Sequence, residues 1–351
     1  FERTLNSYNY ESRSSKKFLD ISKRENYIFN SKINGIEESD LIILIGTNPR
    51  YESTILNSRI RKSYLNNNIQ IISLNNIGDL TYPYEFLDGK TQTINEIFGG
   101  HHHVSKKIIN SKKPLIILGE SFLNLNSSHY LFNLIKNYLI KNEKINDDWN
   151  SFNVLNTDAS TVGNLDLELI NNKNDLIEDL KKNKFEIVYL LGQDNLDFVK
   201  KNEFVIYQGS HGDKGADIAD IILPGAAYTE QNGLYTNLEG KLQKAYKASY
   251  PPGEAKEDWQ IINEIAEYLN NRKLFNDKDE LESSLTNFLN LKKDKNNLNL
   301  NSFDEAKSFK NENIQISNKE YYFSNVIARA SKTMLDCYNS KVRIKRTGTE
   351  G

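Results

Sequence analysis

The stretch Leu41-Ile-Ile-Leu-Ile-Gly46-Thr-Asn-Pro-Arg50 decides the fold of this chain. Its uninterrupted aliphatic run predicts a strand that is buried on both faces, as in a parallel sheet. Gly46 then marks a tight turn, and Asn48 and Pro49 suit the N-cap and the first position of a helix. The stretch therefore predicts a strand that turns directly into a helix, which is the repeating unit of α/β folds.

The same alternation continues along the chain. Leu56 and Ile60 recur at helical spacing after the turn, and Ile69–Leu74 predicts a second strand. Further strands are predicted at residues 115–118, 186–191 and 204–207, and helices at residues 131–139 and 257–269. The apolar face of the last of these helices is predicted from its spacing to be Trp259, Ile262, Ile265, Ala266 and Leu269. We therefore predict an α/β fold that is doubly wound with mainly parallel sheets.

A second stretch, Gln208–Gln243, concentrates the glycines of the chain. It holds six of the chain's 18 glycines, at positions 209, 212, 215, 225, 233 and 240. Glycine is the residue that takes tight and positive-φ conformations without strain. We therefore predict a long, ordered loop of the kind that carries function.

Composition excludes several classes of protein. A chain of 351 residues can bury a substantial core, as two domains or as one large α/β domain with insertions. Its net charge is -2, from 45 Lys and Arg against 47 Asp and Glu, so we expect no nucleic-acid partner. Cys337 is the only cysteine, which excludes an internal disulfide and an all-cysteine zinc or iron–sulfur site.

We expect no direct membrane span, because no apolar run approaches the length of a spanning helix. The first residues also lack the apolar core of a secretory signal. Since the chain begins with Phe1, we expect a processed product or a fragment of a longer polypeptide.

The predicted organisation has four parts. A polar lead-in arm lies on the surface with solvated basic pairs at Lys16–Lys17 and Lys23–Arg24, and an α/β region follows. An Asn/Lys-rich insertion is expected to be exposed and partly mobile, and a C-terminal helix at 324–338 precedes a basic tail at 341–346. The boundaries of the four parts are 1–30, 31–269, 270–318 and 319–351.

Few residues suggest chemistry by themselves. His101–His103 invites a metal hypothesis, but adjacent side chains diverge and no carboxylate or cysteine stands at ligand spacing, so a loop before a helix is favoured. For His211, between two glycines, we favour a hydrogen-bonded loop residue over a catalytic one. The turn at Gly46 is able to present backbone N–H groups to an anion. Cys337 is predicted to be a small core residue.

Several landmarks together resemble the molybdopterin oxidoreductase family. They are Gly46-Thr-Asn-Pro-Arg50-Tyr-Glu52, Ala219-Asp220-Ile-Ile-Leu-Pro224, Glu230-Gln-Asn-Gly233 and Asn237-Leu-Glu239-Gly240, and further matches lie at residues 35–40, 57–63, 207–213, 257–259 and 328–334. Within that family the chain is similar to the C-terminal region of the large iron–sulfur subunits of respiratory complex I, the proton-pumping NADH:ubiquinone oxidoreductase. The landmarks are colinear over almost the whole chain.

This resemblance implies a fold of the molybdopterin oxidoreductase type that is incomplete at the N-terminus. It implies a non-catalytic structural role on the matrix side of the mitochondrial inner membrane, in contact with other subunits of the peripheral arm. No cofactor or metal is expected on this chain. Iron–sulfur clusters are expected on the missing N-terminal region of the same subunit or on a separate chain, and that cluster-bearing part is an expected partner.

The resemblance also marks vestigial pterin-site candidates, of which Asp220, Glu230 and Asn237 are expected to be held by internal hydrogen bonds. The full set of candidates is Gly46, Asn48, His211, Asp220, Glu230 and Asn237. Two alternatives stay open. One is a fragment of an active molybdopterin-dependent oxidoreductase that works with a separate N-terminal chain, and the other is a free-standing α/β binding module.

Overall fold

A computed structural model describes residues 7–13, 17–170, 175–193, 196, 198–294, 309–316 and 320–347. The strands form a parallel five-stranded sheet in the order β3-β2-β1-β4-β5, a parallel three-stranded sheet in the order β6-β7-β8, and an antiparallel hairpin of β9 and β10. Their bounds are β1 Leu41–Ile45, β2 Gln70–Ser73, β3 Glu85–Phe86, β4 Pro114–Leu118, β5 Phe152–Val154, β6 Ile187–Leu191, β7 Phe204–Gly209, β8 Ile221–Pro224, β9 Gly233–Thr236 and β10 Leu242–Ala245.

Helices lie before the first strand, between many of the strands and after the last one. Their bounds are α1 Lys32–Gly35, α2 Pro49–Glu52, α3 Thr54–Asn67, α4 Thr91–Phe98, α5 His103–Asn110, α6 Glu120–Leu123, α7 Ser128–Lys141, α8 Thr161–Asp166, α9 Leu176–Lys181, α10 Lys214–Asp217, α11 Asp258–Asn270, α12 Lys278–Asp294, α13 Val326–Ala330 and α14 Lys332–Thr347. Short 3₁₀ turns lie at Arg24–Asn26 and Tyr321–Phe323.

Strand β1 is the centre of the five-stranded sheet and is buried on both faces, as predicted. Leu41, Ile43 and Ile45 belong to one hydrophobic core cluster. Ile42 and Leu44 belong to the cluster on the other face. Because side chains alternate along a strand, a wholly aliphatic run fits only a strand with a core on each side.

The turn after β1 also forms as the sequence predicts. The Asn48 side chain accepts a hydrogen bond from the backbone N–H of Arg50, and Pro49 is the first residue of α2. Helix α3 follows and buries Leu56 and Ile60. The strands predicted at 69–74, 115–118, 186–191 and 204–207 correspond to β2, β4, β6 and β7. The fold is therefore mixed α/β with parallel sheets.

The prediction of one long loop at Gln208–Gln243 is wrong. The segment contains the end of β7, helix α10, strand β8 and most of the β9–β10 hairpin. Gly212, Gly225 and Gly240 lie in the connections between these short elements, and the other three glycines lie within them. Short strands with this many glycines carry little periodic signal, so the sequence conceals them.

The lead-in segment is less exposed than predicted. Within the described part of residues 1–30, Tyr27 and Phe29 are buried in the two core clusters. Lys17 is also buried, and its ammonium lies 2.8 Å from the Glu120 carboxylate. The expectation of solvated charges is therefore wrong for Lys17 and for Arg24, which is described below. Residues 1–6 and 14–16 of the predicted lead-in arm, among them Lys16, lie outside the described residues.

The Asn/Lys-rich part is not exposed throughout. Residues 309–316 pack onto the five-stranded sheet region, where Ile314 is buried and the Thr91 N–H donates to the Glu312 carbonyl at 3.0 Å. An apolar residue every few positions is enough to anchor such a segment. Residues 278–294 of the predicted insertion form α12, and residues 295–308 and 317–318 lie outside the described residues.

Three predictions about the helices after residue 257 also need correction. Cys337 is exposed and not in a core, because α14 packs through the neighbouring Tyr338 ring, whose centroid lies 5.1 Å from that of Phe323. The predicted basic tail continues the helix, since α14 runs to Thr347. In α11, Leu269 is exposed and Ile261 is buried, so the buried stripe is rotated from the predicted one.

Asp40 joins the beginnings of β1 and β4. Its carboxylate accepts hydrogen bonds from the Lys112 and Lys113 N–H groups at 2.7 and 3.1 Å and from the Ser111 hydroxyl. Burial opposes ionisation, but these hydrogen bonds lower the pKa of Asp40 below its ordinary value. The stabilisation is therefore present above the unfolded pKa of about 3.9 and is lost as the pH falls through the folded pKa.

We expect Asp40→Asn to lower the free energy of unfolding by about 1 kcal/mol at neutral pH. In urea unfolding series the difference from wild type should narrow as the pH falls below the ordinary pKa of the carboxyl. Glu38→Gln is the control, because its carboxylate is largely exposed. A difference that stays constant across the whole pH range would contradict this role for Asp40.

Candidate functional site

The first candidate site lies where β1 and β4 end. The strand order reverses between these two strands, because the chain passes from β1 through β2 and β3 before it returns to β4. Open α/β sheets bind ligands in the crevice outside the strand ends at such a reversal. Gly46 follows β1 with a φ of +64°, and Gly119 follows β4.

Protein atoms fill this crevice. A Cβ at Gly46 would stand 2.3 Å from the backbone nitrogen of Phe122, and one at Gly119 would stand 2.4 Å from the Thr47 Cβ. The Ser121 N–H also donates to the Gly46 carbonyl at 3.2 Å. The two turns are in direct contact, and the Phe122 side chain is fully buried beside them.

The polar groups of the Gly46 turn are bonded inside the protein. The Glu52 carboxylate accepts from the Thr47 hydroxyl at 2.8 Å and from the Asn48 N–H at 2.9 Å. The Asn48 carboxamide donates to the Ile77 carbonyl at 3.0 Å. Thr47 and Asn48 are both buried. The Asn48 N–H, one of the groups predicted to face an anion, therefore already donates to the Glu52 carboxylate.

His211 and its neighbours lie after β7. The Tyr207 hydroxyl donates to the His211 carbonyl at 2.9 Å, and the imidazole Nδ1 lies 3.0 Å from the Ser210 hydroxyl. Asp213 caps α10 and forms an ion pair of 2.6 Å with Arg329. Burial opposes ionisation of Asp213, but the hydrogen bond from Arg329 lowers its pKa below the ordinary value. His211 is a hydrogen-bonded loop residue, as favoured from the sequence.

Asp220, Glu230 and Asn237 are each held by internal hydrogen bonds, as predicted. Asp220 accepts from the Val205 N–H at 2.7 Å and pairs with Lys200 at 2.6 Å, whose hydrogen bond lowers its pKa. The Glu230 carboxylate accepts from the Ala227 N–H, and the Asn237 carboxamide accepts from the Lys241 N–H, at 2.9 and 2.8 Å.

The six pterin-site candidates are distributed over different elements. Gly46 and Asn48 follow a strand of the five-stranded sheet, whereas His211 and Asp220 adjoin strands of the three-stranded sheet. Glu230 precedes the hairpin, and Asn237 lies in its turn. With the crevice filled and the polar groups bonded internally, these residues do not fit a pterin group in this arrangement.

A polar network that the sequence does not reveal connects β7 to α11. Gln208 is fully buried, and its Nε2 donates to the Asp258 carboxylate at 2.8 Å. Gln231 donates to the other carboxylate oxygen at 3.0 Å, and the Tyr189 hydroxyl donates to the Gln208 carboxamide. Burial, followed by the negative charge of Asp258, raises the pKa of Tyr189 to about 12.

The sequence gives only one hint of this network. Asp258 begins a helix soon after the break at Pro251-Pro252-Gly253, but nothing pairs it with a glutamine that lies far upstream in the sequence. Its carboxylate accepts hydrogen bonds from both amide groups, one of them on the fully buried Gln208, so it holds the start of α11 against the end of β7.

We expect Asp258→Ala to lower the free energy of unfolding by about 2 kcal/mol, because the buried Gln208 amide loses its acceptor. Thermal or urea unfolding of the full chain measures this loss. Glu264→Ala on the same helix is the control, since the Glu264 carboxylate makes an exposed pair with Lys256. Equal stability of the two variants would show that the network contributes nothing.

Two further features, metal ligands and membrane-spanning helices, are predicted from the sequence to be absent and can be compared with the described residues. Over the part of the chain that the structure describes, no three His, Cys, Asp or Glu side chains are grouped so that they could hold a metal ion. His102 caps α5 by accepting from the Val104 N–H at 3.3 Å, in agreement with a loop before a helix. None of the described helices is both long and apolar enough to cross a bilayer.

Comparison with known proteins agrees with the resemblance seen in the sequence. The model of the molybdopterin oxidoreductase family matches residues 1–268. The chain belongs to the molybdopterin oxidoreductase family. The parallel α/β architecture is consistent with this family, so the fold class predicted from the sequence is confirmed.

Individual relatives of the chain include components of NADH-ubiquinone and NADH-quinone oxidoreductases. It is 40% identical to the NADH-ubiquinone oxidoreductase 75 kDa subunit of Reclinomonas americana, over 90% of this chain and 47% of that protein. It is 43% identical to the NADH-ubiquinone oxidoreductase 78 kDa subunit, mitochondrial, of Candida albicans, over 72% of this chain and 35% of that protein. It is 37% identical to an NADH-quinone oxidoreductase subunit of Rickettsia bellii, over 98% of this chain and 50% of that protein. The chain thus spans half or less of each of these three relatives.

Proposed function

We propose that this chain is a non-catalytic structural part of the peripheral arm of mitochondrial complex I. It supports the cluster-bearing part of the large iron–sulfur subunit during electron transfer from NADH to ubiquinone. The similarity to NADH-ubiquinone oxidoreductase subunits over 90% and 72% of the chain supports the assignment to this complex. As a subunit, the chain serves an enzyme without carrying out its chemistry.

The filled crevice between β1 and β4 is the observation that carries the cofactor-free form of this proposal. A pterin group would have to displace the backbone of Phe122 from Gly46 and the Glu52 carboxylate from the turn. The first contact joins two buried backbone segments, and the second holds the buried Asn48 N–H, so both stabilise the turn. The chain therefore keeps the family fold as a structural scaffold with a contact surface, and not as a site for the cofactor.

The location and partners follow from the same assignment. One relative is a mitochondrial protein by its name, and we place this chain on the matrix side of the inner membrane. Its partners are the other peripheral-arm subunits and the cluster-bearing N-terminal part of the same subunit, on the same polypeptide or on a separate chain. The iron–sulfur clusters belong to that part.

Native isolation tests the proposal. A tagged full chain should co-migrate on a native gel with a respiratory assembly that oxidises NADH, and mass spectrometry should identify its partners. The assembly should contain no molybdenum by elemental analysis and no extractable pterin. Molybdenum in stoichiometric amount would favour the alternative, an active molybdopterin-dependent oxidoreductase. A monodisperse chain outside any respiratory assembly would favour a free-standing binding module.

A further inference from the structure

Residues 309–316 lie on the α/β region in the way that an extended peptide lies on a protein that binds it. We name this segment, Phe309-Lys-Asn-Glu-Asn-Ile-Gln-Ile316, the strap. Glu312, Ile314 and Ile316 are at least partly buried, whereas the residues that alternate with them are exposed. A period of two is the pattern of an extended chain with one side on a surface. The strap therefore presents every second side chain to the rest of the protein.

The strap pairs with the chain beside one edge of the five-stranded sheet. Strand β3 forms this edge, and the residues that follow it form an antiparallel bridge with the strap. The Thr91 N–H donates to the Glu312 carbonyl at 3.0 Å, and the Ile314 N–H donates to the Gly89 carbonyl at 2.8 Å. Addition of an extended segment at a sheet edge is a common mode of peptide recognition, in which backbone hydrogen bonds provide the affinity.

Two buried hydroxyl groups also hold the strap by its backbone. The Thr91 hydroxyl donates to the Lys310 carbonyl at 2.9 Å and accepts from the Glu312 N–H at 2.9 Å. The Ser127 hydroxyl donates to the same carbonyl at 2.9 Å and accepts from the Lys310 N–H at 2.8 Å. Thr91 and Ser127 are 0% and 1% exposed, so the α/β region fixes both hydroxyls in place.

The acidic side chain of the strap has a site of its own at the start of α7. The Glu312 carboxylate accepts hydrogen bonds from the Ser127 N–H at 3.0 Å and from the Asn126 carboxamide at 3.1 Å. Helix α7 begins at the next residue, and the dipole of a helix favours a negative charge at its N-terminus. This end of the site therefore favours a carboxylate.

The aliphatic side chain two positions later has a hydrophobic site. Ile314 is 2% exposed and belongs to the core cluster that also contains Ile43 of β1. The Ile314 carbonyl accepts from the Asn75 carboxamide at 2.8 Å. A Cβ at Gly89 would stand 2.5 Å from the Asn75 Nδ2, so a larger residue there would block this amide. We name the residues that hold the strap the groove, and they are Asn75, Gly89, Thr91, Asn126 and Ser127.

We propose that the groove is a peptide-binding site and that the strap occupies it as a ligand tethered to the same chain. The ligand class is an extended peptide that carries an acidic residue two positions before an aliphatic one. Lys310 is 183 positions from Ser127 and 219 from Thr91 in the sequence, so the groove is built by a different part of the chain from its ligand. Because groove and strap both lie in this chain, the proposal does not depend on the assignment to complex I.

A labelled peptide tests the proposal on the full chain. In a disabled chain, Glu312→Lys with Ile314→Arg removes both side chains that the groove recognises. A fluorescein-labelled peptide of residues 309–316 should bind this disabled chain with a micromolar Kd in fluorescence anisotropy. The wild-type chain should bind the peptide at least about 100-fold more weakly, because the tethered strap competes at an effective concentration on the order of 1 mM. Equal binding to both chains, or no binding to the disabled chain, would overturn the proposal.

Two matched variants of the disabled chain establish whether the peptide uses the groove. Thr91→Val removes the hydroxyl and keeps the branched shape, so it should weaken peptide binding at least about tenfold. Thr93→Val on the same helix is the control, because the Thr93 hydroxyl donates to the Asp88 carboxylate and binding should stay unchanged. A peptide that carries Glu312→Lys and Ile314→Arg should not bind. An unchanged affinity in the Thr91→Val variant would contradict a site at the groove.

Hydrogen exchange of the wild-type chain gives a readout that decides the question even if the disabled chain does not fold. A tethered ligand leaves its site while the rest of the protein stays folded. The Glu312 and Ile314 amides should therefore exchange through a local opening, with a lower free energy than the amides of β1 and little dependence on low concentrations of urea. Equal exchange free energies for the strap and β1 would make the strap an inseparable part of the core and would overturn the proposal.

Discussion

Replacing Gly46 with alanine should lower the free energy of unfolding by about 3 kcal/mol. The residue has a φ of +64°, which costs an L-residue about 1–2 kcal/mol. The added Cβ would also stand 2.3 Å from the Phe122 backbone nitrogen, and this overlap costs a further 1–3 kcal/mol, roughly. Urea unfolding followed by circular dichroism measures the total.

A matched glycine separates the two contributions. Gly78 has a φ of +79°, and a Cβ there meets no atom within 4 Å. Gly78→Ala should therefore lose only the conformational part, about 1 kcal/mol. If Gly46→Ala loses no more than Gly78→Ala, the turns after β1 and β4 are not in close contact, and the filled crevice would no longer support a cofactor-free chain.

The second large effect concerns Asp166, whose ion pair with Arg24 connects three distant segments of the chain. Its carboxylate accepts two hydrogen bonds from the Arg24 guanidinium, both 2.9 Å, and one of 2.9 Å from the Tyr27 hydroxyl. Arg24 also donates to the Gly240 carbonyl in the turn of the β9–β10 hairpin at 2.7 Å. The hydrogen bond to Asp166 raises the pKa of Arg24, while burial raises that of Tyr27, so the guanidinium stays charged beside a neutral phenol.

We expect Asp166→Ala to lower the free energy of unfolding by about 3–5 kcal/mol, because a partly buried guanidinium loses its counterion. The side chains of Arg24 and Asp166 are only 20% and 6% exposed, so water compensates little. Hydrogen exchange should also increase in the hairpin, since its turn loses the ordered arginine. Urea unfolding and exchange mass spectrometry measure the two effects.

An exposed pair provides the control for this prediction. Arg50 and Asp79 form an ion pair of 2.7 Å, but their side chains are 39% and 73% exposed. Asp79→Ala should leave the stability close to wild type, because solvent screens the exposed charges. In the double variant Arg24→Met with Asp166→Leu, much of the stability should return, since no charge is left buried. A double variant as unstable as Asp166→Ala would contradict the ionic origin of the effect.

The sequence predicts best where the signal is local. The aliphatic run of β1, the cap at Asn48 and the spacing of Leu56 and Ile60 each depend on neighbouring residues, and each forms as predicted. The family could also be recognised from colinear short motifs, which the match over residues 1–268 confirms. The predicted domain boundaries and the roles of the pterin-site candidates stay predictions.

The predictions that fail depend on contacts between distant residues. The local sequence predicts that the Arg24 side chain is solvated. The fold instead brings its guanidinium to the carboxylate of Asp166, which is 142 positions away in the sequence. The glycines of Gln208–Gln243 predict irregular backbone. In the structure, strands Gly233–Thr236 and Leu242–Ala245 pair as a hairpin at the end of this stretch. Cys337 has a small apolar side chain, yet its helix turns it to solvent.

The sequence by itself determined the α/β class, the family and the turn from β1 into α2, because backbone preferences and the alternation of apolar side chains are properties of neighbouring residues. Only the tertiary structure decided that the crevice beside that turn is filled and that the Asp166 carboxylate lies against the Arg24 guanidinium. Both depend on which elements approach one another in space, and the free energy of those contacts is shared between residues that no local pattern connects.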